Sequence, residues 1–331
     1  MTEAKAKGTI RPLTSDDLEP VIAIDKANAG TSRRGFFEKR LAAALASPGD
    51  YVYVGLEQGG KLVGYAMARL IEGEFGSNRK LAHLDAIAVE AGHQHHGAGH
   101  RLLDAVKTVL KRKEIEAFEC QVDWADRALL GFLGDTGFAL APALVLARST
   151  EELTTYSDAD LVEDDETNLE TDFSSPEGDA AAALSHDRIP VRSMTADDLT
   201  PMIRIDRKRS GRDRTAYYER KQDEALNETG VRVSLVAEMD GYPVGFIMAR
   251  VDFGEFGHTI REAVLDTMAV DPGYQGQGVG RALMNQLVSN LSVLRVETVR
   301  TETAWNDNDL VAFFDASGFQ PAQRVALTCA I

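Results

Sequence analysis

The chain of 331 residues contains only two cysteines, Cys120 and Cys329. That scarcity excludes a disulfide framework and any multi-cysteine zinc site, and it fits a reducing compartment. No apolar run approaches the roughly 20 residues that span a bilayer, and the N-terminus MTEAKAKGTIRPLTSDDL has no apolar stretch of the secretory kind. A cytoplasmic protein with no membrane partner is expected. Basic residues are also scarce, 36 Lys and Arg against 52 Asp and Glu for a net charge of −16, which argues against nucleic acid as a partner. What remains is an ordinary globular composition, 44% hydrophobic and 27% charged. The length is too great for one ordinary domain and comfortable for two.

The acidic excess is concentrated. From Glu151 to Asp187 there are 13 acidic residues and no Lys or Arg, and since −16 + 13 = −3, the rest of the chain is close to neutral. This stretch also lacks periodic apolar residues, so 151–188 reads as a solvated linker.

On either side of it the sequence repeats. RPLTSDDLEPVIAID (11–25) corresponds to RSMTADDLTPMIRID (192–206), VGYAMAR (63–69) to VGFIMAR (244–250), and LDAIAV (84–89) to LDTMAV (265–270). GEFG recurs at 73–76 and 254–257, Trp124 answers Trp305, and DTGF (135–138) answers ASGF (316–319), all at one offset of 181 positions. A single offset without gaps means that every loop kept its length, as in duplication of a complete folding unit. The expected domains are 8–150 and 189–331. Each copy reads as β-α-α-β-β-β-α-β-α-β, an α/β unit with a mixed sheet and helices on both faces. Thr14 and Asp17 have the spacing of a cap followed by an acid at the first helix.

The most informative segment is VDPGYQGQGVGRALMNQL (270–287), where a strand runs through a glycine-rich loop into an amphipathic helix. Unpaired N–H groups and a partial positive charge at the first helical turn suit a phosphate or pyrophosphate. The spacing fits neither G-x-G-x-x-G nor a P-loop. It resembles the pyrophosphate motif of the GCN5-related N-acetyltransferase (GNAT) superfamily, Gln/Arg-x-x-Gly-x-Gly/Ala, matched by Gln275-x-x-Gly278-x-Gly280 and by Gln94-x-x-Gly97-x-Gly99. The resemblance covers both copies, with the preceding strand ending in Ala-Val and the last helix closing on Gly-Phe.

The resemblance implies two tandem acyl-CoA N-acyltransferase folds and acetyl-CoA as the acyl-donor substrate, with no metal. The main chain of Met268, Ala269 and Val270 would pair with the pantetheine arm, and Gln275, Gly276, Gln277, Gly278, Val279, Gly280 and Arg281 would cradle the pyrophosphate. In the first copy the matching positions are Ile87, Ala88 and Val89, then Gln94, Gly97, Ala98, Gly99 and His100. The thioester would lie between the splayed fourth and fifth strands. The implied reaction is acetyl transfer to a primary amine of a protein or small molecule, and the identity of that amine is not readable. A regulatory module that binds acyl-CoA without turnover is the alternative. Single-domain relatives often dimerise, so intramolecular pairing of the copies or a homodimer is a further expectation.

An acceptor amine must lose a proton before it attacks. Three acids are candidates: Glu302 on the fifth strand, Asp266 on the fourth, and Glu255 in the loop before it. Glu302 falls where ribosomal-protein acetyltransferases of the superfamily carry a glutamate, although a structural pairing with Arg300 would also explain it. Asp266 recurs as Asp85 and Glu255 as Glu74, whereas Gln121 replaces Glu302 and His100 replaces Arg281. Catalysis is therefore expected mainly in the second copy. The tyrosine that protonates the leaving thiolate in many relatives is replaced by Phe314 and Leu133. His93, His95, His96 and His100 lack a carboxylate at ligand spacing. Trp124 and Trp305 are expected in the core, while Phe36 and Phe37, mirrored by Tyr217 and Tyr218, are expected to pack, with lining of the acceptor entrance as the alternative. The arginines at 204, 207, 209, 212 and 214 are expected on a solvated helix face, with contact to the adenosine 3′-phosphate or an acidic substrate as the alternative.

Overall fold

The computed structural model describes residues 8–72, 79–150, 189–223, 226, 233–253 and 261–331. The expected linker 151–188, Glu255 and its counterpart Glu74 lie outside the described residues. The first copy runs β1 (Thr9–Pro12), α1 (Leu18–Ala29), α2 (Arg34–Ala46), β2 (Tyr51–Gln58), β3 (Lys61–Glu72), β4 (Lys80–Val89), α3 (Ala98–Arg112), β5 (Ala117–Asp123), α4 (Arg127–Asp135), β6 (Ala139–Leu140) and β7 (Ala143–Ser149). The second runs β8 (Val191–Ser193), α5 (Leu199–Ser210), α6 (Thr215–Asp223), β9 (Leu235–Met239), β10 (Tyr242–Phe253), β11 (Arg261–Val270), α7 (Val279–Val293), β12 (Thr298–Ala304), α8 (Asn308–Ala316), β13 (Gln320–Pro321) and β14 (Arg324–Ala330).

The entry to α1 shows how closely the copies repeat. The Thr14 backbone N–H donates to Asp17 (2.8 Å), whose carboxylate also accepts two bonds from Arg11 (2.7 and 2.8 Å), while Arg11 Nε reaches Glu57 (2.8 Å). Thr195, Asp198, Arg192 and Glu238 reproduce the arrangement with donor distances of 2.7 to 2.8 Å. These bonds hold both Asp17 and Asp198 carboxyls below the usual carboxylate range, with Arg11 the largest cause for the first and Arg192 opposing burial for the second.

Each sheet has seven strands, in the orders β1-β2-β3-β4-β5-β14-β6 and β13-β7-β12-β11-β10-β9-β8. The last long strand of each copy thus lies in the sheet begun by the other. β14 is antiparallel to β5 from Arg324↔Asp123 to Ala330↔Ala117, and it meets β6 at Leu327↔Leu140. β7 pairs with β13 at Ala147↔Gln320. Of the described residues, those within Met1–Ala147, Asp252–Glu262 and Arg300–Ile331 form one compact unit, and those within Arg148–Val251 and Ala263–Val299 another.

In the first sheet, one face packs on α3 and α4 through Ala82, Leu84, Phe118, Cys120, Val122, Leu102, Leu103 and Leu133, joined by Leu327 and Cys329 from β14. The other face carries Tyr53, Tyr65, Met67 and Ala86 against Val21, Ile24, Phe36 and Phe37 of α1 and α2. The second copy repeats that layer with Met202, Ile205, Tyr217, Tyr218, Phe246, Met248 and Ala269. Phe36, Phe37, Tyr217 and Tyr218 are therefore packing residues. The two tryptophans are not: Trp124 is 58% and Trp305 65% exposed. They follow the ends of β5 and β12, where the chain leaves the sheet, and their N–H groups bond to the carbonyls of Gln323 and Pro142. Among the arginines, Arg214 is buried against Asp206 (2.8 Å), whereas Arg207 pairs with Asp213 at the surface (2.5 Å).

Candidate active site

In the first sheet, β4 and β5 run parallel and pair at Leu81↔Ala117, Ala82↔Phe118 and His83↔Glu119. That register stops at His83↔Glu119, although β4 continues to Val89 and β5 to Asp123. The register between β3 and β4 shifts at the same level, passing from Met67↔Ala86 to Ala68↔Leu84, so Asp85 is the extra residue of a β-bulge. The bulge turns β4 away from β5. Where they part there is a cavity of about 690 Å³, lined by β4 (Ala86 to Val89), the loop residues Gln94, His95 and Gly99, α1 (Asp25, Asn28, Ala29), and Asp123, Asp126, Leu129 and Phe132. Ile87, Ala88 and Val89 line this cavity from β4.

At the cavity mouth α3 begins at Ala98, with Gly97 as its N-cap at φ 78°. Glycine is needed for that left-handed conformation, and Gly99 is fixed by contact, because a Cβ there would lie 2.9 Å from Phe132 Cζ. Gln94 donates from Nε2 to the Val89 carbonyl and to Asn28 Oδ1, both at 2.9 Å, and Asn28 Nδ2 donates to the same carbonyl at 3.1 Å. The motif glutamine thus ties the loop to the end of β4 and to α1. His100 is exposed and meets Phe132 edge-on at 5.4 Å. The second copy builds its loop alike: Gly278 caps α7 at φ 84°, Gly276 has φ 75° and Val279 is buried. Met268, Ala269 and Val270 are buried at the end of β11, while Gln275, Gln277 and Arg281 are exposed and Gly280 half-buried.

The candidate acids fall into different surroundings. Asp266, on β11, is buried and paired with Arg250 and with Lys221 at 3.2 Å. Asp85 repeats it, with Arg69 Nε at 3.0 Å and Arg40 Nε at 3.8 Å. Glu302 lies in the same compact unit as the first copy's β4 and β5. Gln121 Nε2 donates to its Oε2 at 2.5 Å, and Arg300 donates to Gln121 Oε1 and, from Nε, to Glu262 at 3.0 Å. Gln121 and Glu302, equivalent under the duplication, are thus hydrogen-bonded to each other. Burial, reinforced by Glu119, pushes the Glu302 carboxyl above its ordinary value against the pull of Gln121, His83 and Arg300. Leu133 and Phe314, at the position of the tyrosine in relatives, are fully buried core residues, and Phe132 lines the cavity instead.

Sequence reasoning missed Asp25, Asn28, Arg33 and Asp123 in the cavity wall. Asp25 accepts from Arg33 Nε and from Tyr65 Oη, each at 2.9 Å. In the second copy Asp206 accepts from Arg214 at 2.8 Å and from Tyr218 Oη at 2.9 Å. The hydroxyl comes from β3 in one copy and from α6 in the other, since Tyr65 and Phe37 correspond to Phe246 and Tyr218. The Asp and Arg recur at the common offset, and that recurrence was the available signal.

A mixed sheet that opens beside a glycine-capped helix, with that cap repeated in the second copy, is the arrangement of acyl-CoA N-acyltransferase folds. The sequence pattern of the acetyltransferase (GNAT) family matches residues 22–138 and 199–319, so the chain belongs to that family. It is 39% identical over 61 residues to the ribosomal protein bS18-alanine N-acetyltransferase of Escherichia coli, a match covering 18% of this chain and 41% of that one. It is 31% identical over 97 residues to an uncharacterized N-acetyltransferase of Porphyra purpurea, 29% of this chain and 51% of the relative. The chain thus spans about half the length, or less, of these relatives. A tandem GNAT protein from the clavulanic acid biosynthesis pathway shares the fold, with a TM-score of 0.62 at 16% identity over 98% of both chains. A GCN5-related N-acetyltransferase from Sphaerobacter thermophilus follows at 0.57 and 13% identity, over 98% of this chain and 96% of the other. Among the described residues no helix is long and apolar enough to cross a membrane.

Proposed function

We propose that the chain transfers an acetyl group from acetyl-CoA to a primary amine of a protein or small molecule in the cytoplasm, mainly by way of its second copy (189–331). The observation that carries the reading is the parting of β4 from β5 beside the start of a helix, where the first N–H groups have no intrahelical partner, in a chain whose loop recurs at Gln275 to Arg281. Such a loop suits a pyrophosphate, and the open strand edge suits an amide-bearing arm. By sequence Glu302 belongs to the second copy, and the first has Gln121 at the equivalent position. It is the one candidate acid among the described residues with a raised pKa, and a carboxyl moved toward neutrality is suited to take the proton of an ammonium group. Asp266, held between Arg250 and Lys221, is suited to positioning β11.

The test is thiol release from acetyl-CoA with spermidine, glucosamine, a lysine-bearing peptide and a peptide with N-terminal alanine as acceptors. Glu302→Gln is expected to lower kcat/KM by about 100-fold, the usual scale for losing a general base, with acetyl-CoA affinity retained. Unchanged turnover would remove Glu302 from the reaction. The buried Leu133 and Phe314 favour a second reading, a regulatory module that binds acyl-CoA. Calorimetric binding of acetyl-CoA with no acceptor consumed would support it.

A further inference from the structure

We infer that His83 is the proton acceptor of the first copy's cleft, so that both copies carry chemistry and each draws on a different strand for its base. This rests on the acetyl-transfer reading above. His83 is 7% exposed and sits on β4 at the last paired position before the strands part. Its neighbours Ala82 and Leu84 point to the α3 side, so His83 faces the side of α1 and α2, as do Asp85 and the cavity residue Ala86 beyond the bulge. On β5, Phe118, Cys120 and Val122 also take the α3 side, which puts Glu119, Gln121 and the cavity residue Asp123 on the face of His83.

His83 Nδ1 lies 3.2 Å from Asp85 Oδ1. An ionised carboxylate can only accept, so Nδ1 carries the hydrogen and Nε2 of the neutral ring is left as the accepting nitrogen. Groups that bear on the imidazole's charge are Asp85 on β4, Glu119 on β5, Glu302 from β12, and Arg69 on β3 and Arg40 on α2 across the Asp85 carboxylate.

The second copy serves as a control on the structural explanation. There Asp266 holds the place of Asp85, Arg250 and Lys221 hold those of Arg69 and Arg40, and Val264 stands in place of His83. The carboxylate is satisfied without an imidazole, so holding Asp85 does not require one. The exchange is reciprocal: the first copy has His83 with Gln121, the second Val264 with Glu302. At these two positions each copy keeps one group able to take a proton, on β4 in the first and on β12 in the second.

In the reaction, an acceptor ammonium gives one proton to Nε2. The freed nitrogen lone pair attacks the thioester carbonyl carbon, the N–C bond forms and the C–S bond breaks. The amide nitrogen loses its remaining extra proton as the departing thiolate gains one. The sum is ammonium plus acetyl-CoA to amide, free thiol and one proton, which His83 returns to solvent.

The experiment uses the full chain and the substitution that the second copy already tolerates. His83→Val and Glu302→Gln are made singly and together, and thiol release is followed with the same four acceptors. In the E302Q background, H83V is expected to remove the remaining turnover by about 100-fold, with calorimetric acetyl-CoA affinity unchanged. It should also abolish the acid limb of the residual kcat/KM profile, which a merely structural histidine would not produce. Several results overturn the inference while leaving acetyl transfer intact: E302Q and E302Q/H83V turning over equally, E302Q alone abolishing all turnover, or H83V losing acetyl-CoA binding. Wild-type protein transferring to none of the acceptors would overturn the acetyl-transfer reading itself, and this inference with it.

Discussion

Replacing Glu302 by glutamine removes a carboxylate from a place that resists charge, yet leaves an oxygen for Gln121 Nε2, now 2.5 Å from Oε2. The stability consequence has a definite sign. In the unfolded chain a glutamate titrates near about 4.3, whereas burial and Glu119 raise the pKa of Glu302 in the fold. Between the two values the native state retains a proton that the unfolded state has lost. Stability there falls as pH rises, by up to about 1.4 kcal/mol per pH unit. Below the unfolded value the group contributes nothing, and above the folded value the loss is constant. The glutamine variant has no such titration, so its stability relative to wild type should climb from about pH 4.3 and then level off. Urea unfolding of both proteins at closely spaced pH gives this difference directly, provided that the m-values agree. A difference that stays flat across the window would refute the reasoning. One that shrinks with rising pH would mean that Gln121 and Arg300 outweigh burial.

Three further outcomes are expected. Tyr65→Phe removes one donor from the buried Asp25 carboxylate and should cost about 2 kcal/mol. Adding Phe37→Tyr should recover much of it by copying the Tyr218 and Phe246 arrangement, and no recovery in urea unfolding would contradict the equivalence. Gly245→Ala places a Cβ 2.9 Å from Val279 Cγ1 and 3.2 Å from the Ala269 carbonyl oxygen. It should cost about 1–3 kcal/mol by overpacking and weaken acetyl-CoA binding measured by calorimetry. Cys120 and Cys329 are buried, and burial followed by Glu302 and Glu119 pushes the Cys120 thiol up. A thiol-reactive dye should therefore label neither cysteine until denaturant is added, and rapid labelling of native protein would be the contrary result.

Much of the loop was legible because its requirements are local. Gly97 and Gly278 sit at left-handed helix caps, a demand that one residue type meets, and the strand before and helix after follow from hydrophobic periodicity. The surroundings of the candidate acids were less legible. Asp85 looked like any alternating strand residue, and only the shifted register shows that it is bulged and ringed by Arg69, Arg40 and His83. Gln121 read as a lost base, yet it is the hydrogen-bond donor to Glu302. Trp124 and Trp305 read as core because of their size, whereas the chain leaves the sheet just before them.

By itself the sequence determined the duplication, the order of elements, the fold family and the position of both glycine-rich loops, since each is read from short local stretches of the chain. Only the tertiary structure decided which sheet each closing strand joins. Alternating side chains fix which face of a strand is buried, but they carry no label for the neighbour, and β7 and β14 present patterns that either sheet could accept. That pairing, made through bonds between residues some 200 positions apart such as Arg324↔Asp123, places Glu302 in one compact unit with Gln121 and His83.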